Sequence, residues 1–386
     1  MSAKQAVIDN IDKNSADLIG LSHWVHAHPE VAWKEFESSA HIAAFLADRG
    51  FDVEKNYCGI ETSFKATFGN GDLVIALCAE YDALPGLGHA CGHNIIASAS
   101  VGAALALTQV ASELDATIVV LGTPAEEGGG GKINMLEAGG FNNIDVAALI
   151  HPGPVDVAHG EPFAVKHIEV SYTGRASHAA AYPEQGINAG DAFTVAQVAI
   201  GLLRQQLPPT SRVHGIITRG GEAPNAIPEK TEGRWYVRGT TTAELNAVYE
   251  KVVKCFEAGA LATGATLEIH PGSAPYSEFI NHADITDLYK KNAISLGRNF
   301  DVPEPATRMN RASTDMGNVS HTVMSFHPYI GINSGDAVNH QHQFAAASIT
   351  KDADRAVLDG AKGLAMTMVD IALDPVLRRK AKEFNG

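Results

Sequence analysis

Apolar positions along this chain change their spacing in blocks, and the blocks alternate. Ala3 to Leu21 carries apolar residues at helical intervals, and the same spacing resumes from His41 to Arg49 after the His28-Pro29 break. Short apolar runs follow. Ser63 to Phe68 and Leu73 to Cys78 predict strands, Asn94 to Leu114 a buried helix rich in small residues, and Thr117 to Gly122 a strand. Ile133 to Ala138 predicts a short helix and Val146 to Ile150 a further strand. Strands alternating with helices predict an α/β fold with a mostly parallel sheet, helices covering both faces.

The texture changes at about Lys166. His167 to Tyr172 alternates apolar and polar residues as a half-buried strand does, and a helix is expected over Ala189 to Gln205. Val213 to Thr218, Gly233 to Val237 and Thr266 to His270 read as strands, with a helix over Thr242 to Leu261. This αβ segment is long enough to be an inserted domain. Beyond it, Ile285 to Leu296 predicts a helix, Thr322 to Ile330 a strand, and Ala353 to Leu373 a long helix ended by Asp374-Pro375. The expected organisation is a larger domain from residues 1–165 plus 275–386, interrupted by a smaller one over 166–274.

Composition narrows the function classes. A chain of 386 residues, 45% hydrophobic, can bury a large core. A net charge of −15 argues against nucleic acid or an acidic membrane surface as partner. Cys58, Cys78, Cys91 and Cys255 form no disulfide framework and no CxxC pair. The N-terminal segment lacks the apolar stretch of a secretory signal. The longest apolar run, Ile95 to Leu107, is broken by Ser98 and Ser100 and is shorter than the ~18–20 residues that span a bilayer. A cytoplasmic protein is expected.

In open α/β sheets ligands bind at the carboxyl ends of the strands, and chemistry collects there. After Leu73 to Cys78 come Glu80, Asp82 and the run His89-Ala90-Cys91-Gly92-His93. Glu126-Glu127 and four glycines follow Thr117 to Gly122, and His151 follows Val146 to Ile150. Asp336, His340 and His342 follow Thr322 to Ile330. A thiolate, imidazoles and carboxylates on one rim are a metal-site composition. Adjacent carboxylates on a loop point apart, so one of Glu126 and Glu127 can bind metal while the other serves as a general base towards water. A phosphate-binding reading of Gly131-Lys132 fails on spacing, and no GxSxG or HExxH motif is present.

These motifs resemble those of the metallopeptidase and amidohydrolase family that includes aminoacylases, carboxypeptidase G, auxin-conjugate hydrolases and aminobenzoyl-glutamate hydrolases. The resemblance runs nearly end to end, from His26-Ala27-His28-Pro29-Glu30 and Glu35 through Asp82-Ala83-Leu84-Pro85, His89 to His93 and Glu126-Glu127-Gly128-Gly129. It continues through His151-Pro152, Gly174 to Ala179, Asn225 to Pro228, Ser313-Thr314-Asp315, and His340 with Phe344. Asn94, where many relatives have Asp, suggests the dipeptidase-like branch. Glu80 stands where other branches use a ligand histidine.

The resemblance implies a catalytic domain interrupted by a lid that mediates a homodimer, and two divalent ions per subunit, zinc or manganese before cobalt or nickel. It implies Cys91, His93, Glu127, His151 and His340 as ligands, with Cys91 the bridge and His342 the competitor of His340. Glu126 is implied as general base, Asp82 as the residue that orients a ligand, and His178 as the oxyanion donor. Asn225 and Arg238 match positions that hold the polar end of a substrate, and His214, beside the lid strand, is a further candidate for substrate contact. The expected function is metal-dependent hydrolysis of the amide bond of an N-acyl amino acid or dipeptide, a small-molecule substrate. A non-catalytic metal- or small-molecule-binding protein that kept the fold is the alternative.

Overall fold

In a computed structural model that describes residues 2–384, the apolar runs near the N-terminus become the centre of a six-stranded sheet. Its strands are β1 (Asp52–Lys55), β2 (Phe64–Phe68), β3 (Leu73–Ala79), β4 (Ala116–Gly122), β5 (Val146–Ala148) and the late strand Met324–Phe326. The order is β1-β2-β4-β3-β5 and then Met324–Phe326. From β4 to Met324–Phe326 every pairing is parallel, and β2 and β1 add an antiparallel edge. The α/β architecture with a mostly parallel sheet is therefore as expected.

Strand periodicity explains why both faces are covered. Ile75, Leu77, Ile118 and Val120 point to one side, into a core shared with helices His93–Thr108 and Lys351–Leu373. Ala76, Cys78, Val119 and Leu121 point to the other, against Met135, Phe141, Met316 and Val319. Because both sets are buried, β3 and β4 read as near-continuous apolar runs. Ser98 and Ser100, which interrupt the apolar run within the small-residue helix, donate to the carbonyls of Leu18 at 2.6 Å and Cys78 at 2.7 Å.

Several elements differ from the sequence reading. The first helix is two, Ala3–Lys13 and Ser15–Ala27, separated at Asn14, whose side-chain amide donates to the Asn10 carbonyl. The expected strand Thr322 to Ile330 is also two: Met324–Phe326 pairs with β5, and Tyr329–Gly331 pairs with His151–Gly153 in a separate two-stranded sheet. Pro328 lacks an N–H and restricts His327 before it, which favours a break there. Hence His151 opens its own strand instead of trailing β5. Pro375 does stop the long helix, but it starts another, Pro375–Phe384, as the fixed φ of proline allows at a first helical position.

By their internal contacts the residues divide into two compact units, one up to Pro162 and from Phe279 onwards, the other Phe163–Glu278. The second unit is an antiparallel four-stranded sheet in the order Thr266–Pro271, Ala164–Thr173, Lys230–Gly239, Arg212–Arg219. Helices Ala189–Leu203 and Thr242–Thr263 bury Phe193 and Phe256 against Tyr172 and Trp235. Asn188 and Thr241 cap them, each side chain accepting a first-turn N–H. Among the described residues no helix is long and apolar enough to cross a membrane.

Candidate metal centre

The carboxyl end of β3 leads directly into the site. Glu80 and Asp82 leave the strand buried, and the loop that follows brings Cys91 to the start of helix His93–Thr108. Gly92 makes this turn with φ +79°. β4 ends in the segment Thr123 to Glu127, where Ala125 adopts φ +59° and donates its N–H to buried Glu35 at 2.9 Å. The carbonyl of Ala125 accepts the N–H groups of Gly129 and Gly130. That tight coil turns Glu126 and Glu127 back towards the end of β3. His340, also left-handed at φ +68°, is tied to the Cys91 loop by its N–H donating to the Ala90 carbonyl at 2.8 Å.

Two groups of donor atoms contain Cys91, the atoms of each within 4.8 Å of one another: Cys91, His93 and His151, and Cys91, Glu127 and His340. Cys91 belongs to both. Its Sγ lies 3.6 Å from His151 Nε2, whose ring donates from Nδ1 to the Pro152 carbonyl at 2.8 Å and so aims Nε2 at the thiol. His340 Nε2 lies 3.5 Å from Glu127 Oε2. Asp82 takes His93 Nδ1 at 3.0 Å with one oxygen and the Glu127 N–H at 2.9 Å with the other.

The residues fit divalent ions by a test internal to the site. His93 Nε2, Glu127 Oε1 and Glu80 Oε2 are buried without a hydrogen-bond partner. Buried polar atoms are rarely left so, and these lie close together: His93 Nε2 is 3.8 Å from Glu127 Oε1 and 3.7 Å from Glu80 Oε2. Thiolate, imidazole and carboxylate donors suit zinc and its first-row neighbours.

Charge in the pocket follows from crowding. Burial alone would raise the Cys91 thiol, but His151, His340 and His93 outweigh it and hold the pKa well below its ordinary value, favouring thiolate. Burial, then the neighbouring Glu80 and Glu127 carboxylates, push Glu126 well above the usual carboxylate range. Glu127 is pushed up to about 7 by burial and by Cys91. His93 is raised against its burial by Asp82, and His151 against its burial by Cys91.

The structure thus brings together Cys91, His93, Glu127, His151 and His340, with Glu126 and Asp82 beside them. His342 is exposed at the start of helix His342–Ala347 and joins neither group. In the second unit, exposed His178 accepts the N–H of Ala181 at 3.1 Å through Nδ1, and Ala179 donates to the Asn225 carbonyl, so the segments that carry His178 and Asn225, far apart in the chain, are bridged side by side. Arg238 and His214 lie diagonally on neighbouring strands, where Arg238 pairs with Arg212 and His214 with Tyr236, and Arg238 Nε donates to His214 Nε2 at 3.3 Å.

Two residues beside the centre carry no role in the sequence reading. Lys132, wholly buried, pairs with Glu80 and Asp315; its one signal is its place directly after the glycine run. Asn339, next to His340, donates to the Pro152 carbonyl at 3.1 Å and reaches within 3.8 Å of Cys91 Sγ.

Residues 76–358 match peptidase family M20/M25/M40. The chain is 39% identical to the Xaa-Arg dipeptidase of Mus musculus, over 97% of its own length and 90% of that protein. It is 32% identical to one of the subunits of the p-aminobenzoyl-glutamate hydrolase of Escherichia coli (strain K12), over 77% of this chain and 65% of that one. Among solved structures, the Bacillus subtilis YxeP protein, described as a dinuclear metal-binding peptidase, superimposes with a TM-score of 0.68 at 22% identity, covering 93% of this chain and 99% of that one.

Proposed function

The chain belongs to peptidase family M20/M25/M40, and from that premise we propose that it hydrolyses dipeptides with a basic C-terminal residue at a centre of two divalent ions. The two curated relatives described above are named as a dipeptidase and a p-aminobenzoyl-glutamate hydrolase, which supports hydrolysis of an amide or peptide bond. The basic amine side rests on the Mus musculus dipeptidase, a likeness that extends along nearly the whole chain. Cys91, His93, Glu127, His151 and His340 would hold the ions, zinc or manganese, with Cys91 between them. Bound there, such ions polarise a scissile carbonyl and acidify water.

The observation that carries the mechanism is the setting of Glu126. It is 5% exposed, its Oε2 lies 3.9 Å from His93 Nε2, and its pKa is raised by burial and by neighbouring carboxylates. A carboxylate of raised basicity, within reach of the donor atoms but belonging to neither Cys91 group, is suited to take a proton from water and return it to the leaving amine. Asp82 fixes the ring of His93 and the backbone of Glu127 and needs no contact with substrate. On the second unit, His178 would supply the oxyanion donor, and Asn225, Arg238 and His214 would hold the substrate's carboxylate end, for which the guanidinium fork is suited. A homodimer through that unit and a cytoplasmic location complete the reading.

The test is release of free arginine from Xaa-Arg dipeptides by chelator-stripped protein, with manganese or zinc restored. N-acyl amino acids and aminobenzoyl-glutamate serve as competitors. Metal-dependent turnover that favours the basic dipeptide, and that falls by about 10²–10⁴-fold in Glu126→Gln with its metal content intact, is the expected result. Full turnover in excess chelator would remove the mechanism, and preference for an acyl-glutamate would remove the substrate assignment. Mixed subunits of Glu126→Ala and His178→Ala regain activity if His178 serves the partner's centre.

A further inference from the structure

A third group of donors lies at the same centre: Glu80, His93 and Glu126. Glu80 is wholly buried at the end of β3, and its two oxygens differ sharply. Oε1 accepts from Lys132 Nζ at 2.6 Å. The same ammonium donates to Asp315 Oδ1 at 2.7 Å, while the backbone N–H of Lys132 donates to Asp315 Oδ2 at 2.9 Å. The lysine has no solvent exposure, so one buried ammonium is shared by two buried carboxyl groups. Oε2 has no hydrogen bond at all. It stands 3.7 Å from His93 Nε2, which is equally unpartnered and lies 3.9 Å from Glu126 Oε2.

A carboxylate clamped by one oxygen cannot turn the other away, so Oε2 is presented to the centre by construction. Two donors that share an ion at ~2.1 Å each lie no more than ~4.2 Å apart. The separation of Glu80 Oε2 from His93 Nε2 falls inside that limit.

Resting on the two-ion reading, we propose that Glu80 is a further ligand on the His93 side of the centre, and that Lys132 and Asp315 are the positioning residues that aim it. On that side Glu80 supplies a hard carboxylate oxygen beside His93, the donor it is grouped with, while Cys91 and His151 form the other group that contains His93. Glu80 also distinguishes the two ion positions, because the Glu127–His340 side has no such clamp.

The experiment is direct metal binding. Chelator-stripped parent, Glu80→Gln and Glu80→Asp proteins are titrated with manganese, reading bound ions by elemental analysis and coordination by the electron paramagnetic resonance of bound Mn²⁺. The amide oxygen of Gln can keep the Lys132 contact, but it withdraws the charge. Asp keeps the charge but falls one methylene short. Expected is full occupancy of one ion and about 10–100-fold weaker binding of the other in both variants, with metal-free melting temperatures no lower than the parent's for Glu80→Gln. Two ions of parental affinity in both variants would overturn the proposal while leaving the dinuclear reading intact. A parent that binds no ion would overturn both. Lower metal-free stability with unchanged affinities would make Glu80 structural and would equally overturn it.

Discussion

Asp82 Oδ1 lies 3.0 Å from Nδ1 of His93, and both side chains are wholly or almost wholly buried. This contact settles which nitrogen of His93 faces the centre. It also holds the Asp82 carboxyl below the usual carboxylate range, because the imidazole outweighs the burial that would raise it. The other oxygen fixes the backbone of Glu127, so one carboxylate orients donors of both Cys91 groups.

Asp82→Asn is therefore expected to weaken binding of both ions, where a ligand substitution would weaken chiefly one. Losses of orienting partners typically cost 10–100-fold in affinity, so a drop of about that size is expected for each. Competitive titration against a chromophoric chelator measures it. A variant that loses one ion only would place Asp82 with a single ligand.

Ion binding should also be visible as stability. Cys91, Glu80, Glu126 and Glu127 crowd like charge into one buried pocket, and a divalent cation relieves that repulsion only in the folded state. Each ion at about a hundred times its dissociation constant adds about 2.7 kcal/mol. For a unit of this size two ions should raise the melting temperature by about 5–10 °C. Thermal melts in excess chelator against added manganese or zinc measure the shift, which His151→Ala should reduce by about half.

Much of this is legible in the chain, for reasons specific to each part. β3 and β4 are legible because burial on both faces makes them continuous apolar runs between polar turns. The donors are legible because Cys91 and His93 sit two residues apart and Glu126-Glu127 adjoin a glycine run. His151 reads as the end of β5 because Leu149 and Ile150 prolong the apolar run, whereas the pairing with Tyr329–Gly331 depends on a partner far along the chain. β1 escapes notice because Asp52–Lys55 is an exposed polar edge with only Val53 turned inward. Lys132 escapes for a different reason. A lone lysine reads as solvated, and only the fold reveals that Glu80 and Asp315, from distant segments, enclose it.

Glu35 predicts a pH dependence. Its Oε1 accepts the N–H groups of Trp33 at 3.0 Å and Ala125 at 2.9 Å, while burial, with Asp82 next, pushes its pKa from 4.5 to about 7. The folded state therefore binds the proton more tightly than the unfolded chain. This contribution to stability is complete below about pH 4.5 and is lost as pH rises to and through about 7. A shift of this size corresponds to about 3 kcal/mol. In Glu35→Gln, whose amide oxygen can accept both N–H groups, that loss should vanish. Urea unfolding of parent and variant between pH 5 and 8, in chelator to exclude metal release, should show the parent falling relative to the variant by about 2–3 kcal/mol. Parallel curves would mean that Glu35 is ionised throughout.

Gly92 and Gly86 share a backbone conformation but not a neighbourhood, which separates strain from function. Both have positive φ, +79° and +72°. A Cβ on Gly86 meets nothing within 4 Å, whereas one on Gly92 would stand 2.7 Å from Pro152 Cγ and 3.1 Å from its Cβ. Pro152 follows His151, and its carbonyl accepts from both His151 and Asn339. Gly86→Ala should thus cost only the left-handed conformation, about 1–2 kcal/mol, and keep its ions. Gly92→Ala should cost more and displace His151 from Cys91, weakening the ion that those two residues would hold under the proposed reading. Paired melts and manganese titrations of the two variants distinguish the effects. Equal metal affinity in both would show that the proline yields without moving the histidine beside it.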